Sequence, residues 1–260
     1  MAMTRRRILQ GAAAVSGMAA MGSSQPARGA EPGGNKKRAL AILGDAWHCV
    51  APLYTALVAP LKARGYTSVT VMDYAVPFDA FGTYDLIILS RYAYDDITFY
   101  REKDAGPPKK GRTRWLTPEQ EQRFEDYVAA GGRLFLHHDG IGFYAKDGAI
   151  SRLARAFFIR HPPMVEIEVS PTGAMPAMTA GVTPFRVTDE EYQVEMDESR
   201  TTVFLESRSP QHGRAPQGWA HAHGQGKVAV LVPGHHQPVL RDPMVRRSIR
   251  NVLDWLEAAS

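Results

Sequence analysis

The stretch Arg133-Leu134-Phe135-Leu136-His137-His138-Asp139-Gly140 decides how the rest of the chain is read. Leu134, Phe135 and Leu136 form an unbroken apolar run, which predicts a strand covered on both faces. Gly131-Gly132 before it, and Gly140 and Gly142 after it, supply turns on either side. Two imidazoles and a carboxylate stand at its carboxyl end, and in an open parallel sheet that end is where ligands bind. Taken alone, the cluster reads equally well as a solvated strand end. The neighbouring elements decide between the two.

Working outward, Arg38–Leu43 predicts a first strand that ends in Gly44-Asp45-Ala46-Trp47-His48. Helical periodicity follows through Val50, Leu53, Leu57, Val58 and Leu61 and stops at Gly65. Val69–Met72 and Tyr84–Ser90 predict the second and third strands, and Arg101–Arg114 reads as an exposed charged loop. Thr117-Pro118-Glu119-Gln120 opens a helix with a capping box and a proline at the first helical position. Beyond the His-His-Asp strand, Ile150–Ile159 reads as a short helix with Leu153, Phe157 and Phe158 on its apolar face. Val165–Val169 alternates as a half-exposed strand, Phe185–Tyr192 ends in the acidic run Asp189-Glu190-Glu191, and Thr202–Leu205 is a further strand. Trp219–Val232 predicts a hairpin around Gly224-Gln225-Gly226, and Val245, Ile249, Val252, Leu253 and Leu256 mark a closing amphipathic helix. This order predicts an α/β fold with a doubly wound, mostly parallel sheet of the flavodoxin-like kind. It forms a single domain over residues 38–260, with no internal repeat.

The first thirty residues stand apart. Thr4-Arg5-Arg6-Arg7-Ile8-Leu9 resembles a twin-arginine export signal, followed by a mildly apolar Ala/Gly run too short to span a bilayer. Residues 1–30 are therefore expected to be a signal peptide, 31–37 a flexible lead-in, and the protein periplasmic or secreted without a stable membrane anchor. Arg5, Arg6, Arg7 and Arg28 account for the whole excess of 31 basic over 27 acidic residues. The remaining chain is formally neutral, which argues against nucleic acid as a partner. The lone Cys49 excludes an internal disulfide and suits a chain folded before export; it is expected to be a small buried residue.

Several predicted strands end in groups able to bind or catalyse: Asp45 and His48, Ser90 and Arg91, His137-His138-Asp139, and His235-His236. In a parallel sheet these ends share one rim. Such a cluster suits a divalent metal such as zinc, or acid–base chemistry with histidine near its neutral-range pKa and Glu190 as partner. In an extended backbone His137 and His138 face opposite ways, as do His235 and His236, so at most one of each pair serves a common site. His221 and His223 read as an exposed edge strand. There is no G-x-S-x-G, no G-x-G-x-x-G and no cysteine in a glycine-flanked turn, which excludes the commonest serine, dinucleotide and cysteine chemistries.

Taken in order, Gly44-Asp45-x-x-His48, Gly131-Gly132-x-Leu134-x-x-x-His138, His161, Asp189-Glu190-x-Tyr192, Trp219-x-x-x-x-Gly224-x-Gly226-Lys227-Val228, Gly234-His235 and Asp254-Trp255 resemble the ThuA-like (trehalose utilisation) family. The resemblance implies a class I glutamine amidotransferase-like fold that lacks the glutaminase nucleophile, with a role in carbohydrate utilisation. It also implies Asp45, His48, His138, His161, Glu190 and His235 as site residues, with His137, Asp139, His221, His223 and His236 as additions peculiar to this chain. The expected assignment makes His138, Glu190 and Asp139 catalytic, and Asp45, Trp47, His48, Arg91, His161, Tyr192 and His235 substrate-binding. His48, His138, His161, His235 and His236 are the candidates for a metal. The expected partner is a small carbohydrate or 3-keto-sugar derivative undergoing isomerisation, elimination or hydration; metal-dependent hydrolysis, a non-catalytic sugar-binding module and a homo-oligomer stay open.

Overall fold

The computed structural model describes residues 36–71, 75–95 and 113–259. The expected signal peptide, the lead-in as far as residue 35, Met72 and most of the loop Arg101–Arg114 lie outside the described residues. Strand β1 (Lys37–Leu43) leads into α1 (Val50–Leu53), which continues through a π-helical segment, Tyr54–Val58, into α2 (Ala59–Ala63). Next come β2 (Tyr66–Val71), a 3-10 turn at Phe78–Thr83, β3 (Leu86–Ser90) and the short pair β4 (Tyr94–Asp95) and β5 (Thr113–Arg114). Helix α3 (Pro118–Ala129) starts at the expected capping box: Gln120 N donates to Thr117 Oγ1, and Thr117 N to Gln120 Oε1. Strand β6 (Arg133–His137) then runs into a 3-10 turn, His138–Ile141.

The second half comprises α4 (Ala149–Ala154), β7 (Ala156–Arg160), β8 (Val165–Pro171), α5 (Pro176–Thr179), β9 (Phe185–Asp189) and β10 (Gln193–Met196). It closes with β11 (Thr202–Ser209), β12 (Gly213–His223), β13 (Gly226–Leu231), α6 (Gln237–Arg241) and α7 (Pro243–Glu257). Nine strands form one sheet in the order β2-β1-β3-β6-β13-β12-β11-β8-β9. From β2 to β13 every pairing is parallel, and from β13 to β9 every pairing is antiparallel.

The apolar strands follow the two-residue period of a sheet buried on both faces. Leu40, Ile42, Leu134 and Leu136 pack with Phe124 and Val128 of α3 and with Ile150 and Leu153 of α4. Ala39, Ala41, Leu43 and Phe135 pack on the opposite face, under Leu57, Leu61 and the α7 stripe Val245, Ile249, Val252, Leu253 and Leu256. Each large apolar side chain removed from water contributes about 1.5–3 kcal/mol, so the two layers carry the fold. Two glycines set the geometry of the rim. Gly44 has φ +80, and a Cβ there would lie 2.3 Å from Val50 Cγ2; a Cβ on Gly140 would lie 2.2 Å from the Leu89 carbonyl oxygen.

Three expectations change. Ile150–Ile159 is not one helix: Arg155 takes a left-handed conformation at φ +51, the helix stops at Ala154, and the aromatic Phe157-Phe158 segment pairs antiparallel with β10. His221 and His223 are not on an edge strand, because β12 lies between β13 and β11. Cys49 is exposed rather than buried. Within the acidic run, Asp189 and Glu191 are completely buried. Among the described residues no helix is long and apolar enough to cross a membrane.

Candidate active site

Parallel pairing aligns the carboxyl ends of β1, β3, β6 and β13, and each delivers polar groups to one rim. After β1, the turn at Gly44 lets Asp45 fold back on the chain. Its Oδ1 accepts from Trp47 N (2.9 Å) and His48 N (3.1 Å), and its Oδ2 accepts from Tyr92 N (3.2 Å) after β3. His48 Nδ1 donates into two carboxylates, Asp45 Oδ1 at 2.8 Å and Asp139 Oδ2 at 2.6 Å. This commits the Nδ1 proton and leaves Nε2 facing the site. After β6, His138 takes φ +46 and donates from Nδ1 to the Val232 carbonyl (2.7 Å), so its Nε2 also faces inward. Tyr192 donates its hydroxyl proton to Asp139 Oδ1, and that hydroxyl lies 3.3 Å from His138 Nε2.

Glu190 arrives from the antiparallel half. The end of β9 meets the loop after β13, four positions away in the strand order. Asp189, with no exposed surface, locks this junction: Oδ1 accepts from Glu190 N (2.9 Å) and His235 N (3.2 Å), and Oδ2 from Gly234 N (2.8 Å).

The result is a four-donor cluster. His48, His138, Glu190 and His235 each present a ligand atom, all within 4.8 Å of one another. His48 Nε2 is 2.9 Å from His235 Nδ1; Glu190 Oε2 is 3.3 Å from His235 Nδ1 and 3.4 Å from His138 Nε2. Adjacent ligands about 2.0–2.1 Å from an ion stand about 2.8–3.4 Å apart across octahedral and tetrahedral angles, so these separations suit a divalent ion of that size. Asp139 and Asp45 on His48, and the Val232 carbonyl on His138, are the outer contacts that orient metal-ligating imidazoles.

The electrostatics point the same way. Burial opposes charge on His48, yet Asp139 and Asp45 outweigh it and push the imidazole up to about 10. Burial likewise opposes charge on His138, and Glu190 and Asp139 raise it. Burial favours the neutral acids, but His48 and His138 bring Asp139 down to about 2, and His138 and His235 hold Glu190 well below the ordinary carboxylate range. The same field would attract a cation, which would bind by displacing the site-facing protons of these imidazoles.

Above the cluster is a cavity of about 310 Å³, lined by Trp47, His48, Tyr92, Asp139, Phe143, His161, Glu190 and His235. His161 Nδ1 lies 3.4 Å from Glu190 Oε1, and its ring stacks on Tyr192. Asp45, His138 and Tyr192 sit behind the lining. Arg91 does not line the cavity; it donates to Asp95 (3.3 Å), and its guanidinium lies over Trp115. His161 and His236 fall outside the four-donor set: His161 meets the other oxygen of Glu190, and His236 occupies the N-cap of α6. His137 is buried against Ser90 Oγ (3.1 Å), and His221 is held between Thr201 Oγ1 and the Leu153 carbonyl. Asp189, Tyr92 and Phe143 escaped the sequence reading. Tyr92 directly follows a strand end already singled out, nothing local distinguishes Phe143, and Asp189 stood in the Asp189-Glu190-x-Tyr192 motif without a role of its own.

A family model described as ThuA, trehalose utilisation, matches residues 46–256. No curated protein matches the chain. Among solved structures, a putative ThuA-like protein from Parabacteroides merdae superposes with a TM-score of 0.64 at 14% identity, covering 85% of this chain and 89% of its own. Two proteins of Salmonella typhimurium superpose with TM-scores of 0.58, at 16% and 15% identity, each over 85% of this chain and over 100% and 98% of their own. Both are described as cytoplasmic, which points away from export and overturns the expectation of a periplasmic or secreted location.

Proposed function

Because the chain belongs to the ThuA (trehalose utilisation) family, with its link to carbohydrate use, we propose that it is an enzyme acting on a sugar derivative at a divalent metal centre built from His48, His138, His235 and Glu190. One observation carries this reading: four donors from four separate chain segments meet on one side of a cavity, with two of the imidazoles braced through their far nitrogens. A bound cation would polarise a sugar hydroxyl or carbonyl, or activate water. The chain's own part is to hold the donors, to exclude bulk water behind His138, and to present His161 and Glu190 Oε1 at the cavity wall for proton transfer.

A second reading has its own support. The His138 Nε2–Glu190 Oε2 contact at 3.4 Å is an ion pair that could exchange protons with a substrate without any metal. Metal analysis of the purified protein, coupled to turnover of a sugar and keto-sugar panel, separates the two. Stoichiometric divalent metal, lost in Glu190→Gln and His235→Ala together with turnover, supports the metal reading. Turnover that persists in chelator supports the acid–base reading. Binding of sugars without turnover in either state would leave a sugar-binding module.

A further inference from the structure

We infer that the cavity takes a single sugar ring, bound to the metal through two adjacent oxygens, with its C–H face against Trp47 and Phe143. The inference rests on the metal reading above and deepens it. Three imidazoles and one carboxylate already fill a tetrahedral shell, and a four-coordinate ion with four protein ligands is closed to substrate. This cluster is not closed in by protein. His48, Glu190 and His235 line the cavity, while His138, with no exposed surface, backs the site. An ion that accepts six ligands, such as Mn²⁺ or Co²⁺, would therefore keep two positions on the open side. Two vicinal sugar oxygens, or a hydroxyl beside a carbonyl, fill such a pair.

The walls agree in size and character. A volume of about 310 Å³ is at the small end for ligand pockets, which run from about 300 to 1,000 Å³, and this favours one ring over a whole disaccharide. Trp47, 53% exposed, and Phe143 line it together with the polar donors. Aromatic faces suit the C–H face of a pyranose, which leaves the hydroxyl edge for the donors. Phe143 is held at φ +61, a left-handed conformation that a non-glycine residue rarely adopts. Such strain is retained where it places a side chain for function. Asp45 Oδ1 fixes the backbone of Trp47 with the same atom that braces His48, so the aromatic wall and a metal donor move as one piece.

The test strips the protein with chelator, reloads it with Co²⁺ and titrates it with D-glucose, D-fructose and the 2-deoxy and 3-deoxy forms of glucose, following the visible Co²⁺ bands. The inference expects weak bands of an expanded shell that shift on adding at least one parent sugar. It expects at least one deoxy form to bind about tenfold more weakly, the loss of one metal-bound oxygen. Trp47→Ala should leave the Co²⁺ spectrum intact and weaken the sugar-induced shift. Failure to bind Co²⁺ would overturn the metal reading itself. Co²⁺ binding with intense tetrahedral bands that no sugar changes, or sugar affinity equal with and without Co²⁺, would overturn this inference and leave the metal reading standing.

Discussion

Replacing Asp189 with asparagine tests whether the site is assembled as described. The aspartate is wholly buried and accepts three backbone N–H groups, from Glu190, His235 and Gly234. Asparagine has nearly the same shape but only one carbonyl oxygen. With that oxygen on the Glu190–His235 side, two bonds survive as neutral ones, while the amide NH₂ faces the Gly234 N–H. Losing one charge-assisted bond costs about 1.5–3 kcal/mol, and orphaning a buried N–H adds about 1–3, giving roughly 2.5–6 kcal/mol in all. For a domain of this size each kcal/mol moves Tm by about 2–4 °C, so a fall between about 5 and 24 °C is expected. Thermal unfolding by circular dichroism in chelator measures it free of any metal contribution. At temperatures where the variant is folded, metal affinity should also fall by about 10–100-fold, because two donors lose their common anchor. A Tm within about 2 °C of the parent, with unchanged metal affinity, would refute the claim that Asp189 holds Glu190 and His235 in place.

Four further outcomes are expected. In chelator, the folded-state pKa of His48, raised from 6.5 to about 10, means that its stabilisation is complete below pH 6.5 and is lost as pH rises towards 10. Asp139, lowered from 3.8 to about 2, contributes above pH 3.8 and loses its contribution as pH falls towards 2; unfolding curves across both windows check the two slopes. Gly140→Ala would set a Cβ against the Leu89 carbonyl oxygen and should cost about 3 kcal/mol by urea denaturation. His236→Ala should leave metal stoichiometry unchanged, since His236 is not among the four donors; loss of the metal would show that the cluster is wrongly drawn.

The parallel half was legible because its signals are local. Leu134-Phe135-Leu136 can only be a strand buried on two faces, Thr117-Pro118-Glu119-Gln120 can hardly be anything but a helix start, and polar residues at strand ends mark the rim. The antiparallel half was less legible because tertiary pairing overrode local pattern. Phe157 and Phe158 fit a helical face as well as a strand, and the pairing with Val194 and Glu195 decides between them. The Asp189-Glu190-Glu191 run resembles a solvated turn until its buried partners are known: Gly234 and His235 for the first residue, Ser207 and Ser209 for the last. Arg91 stands at a strand end like the site residues, but Asp95 and Trp115 draw it off, a competition invisible at the level of spacing.

The contact between His48 and His235 joins residues 187 positions apart, and Glu190 reaches both only after the sheet has been completed across its antiparallel half. The four donors of the cluster lie on four separate segments, so no single contiguous segment supplies the set. Loop-closure entropy delays such long-range meetings to late in folding. A cation bound at this cluster would therefore not seed the fold; it would act as a latch on the finished molecule, slowing the unfolding rate and leaving the folding rate nearly unchanged.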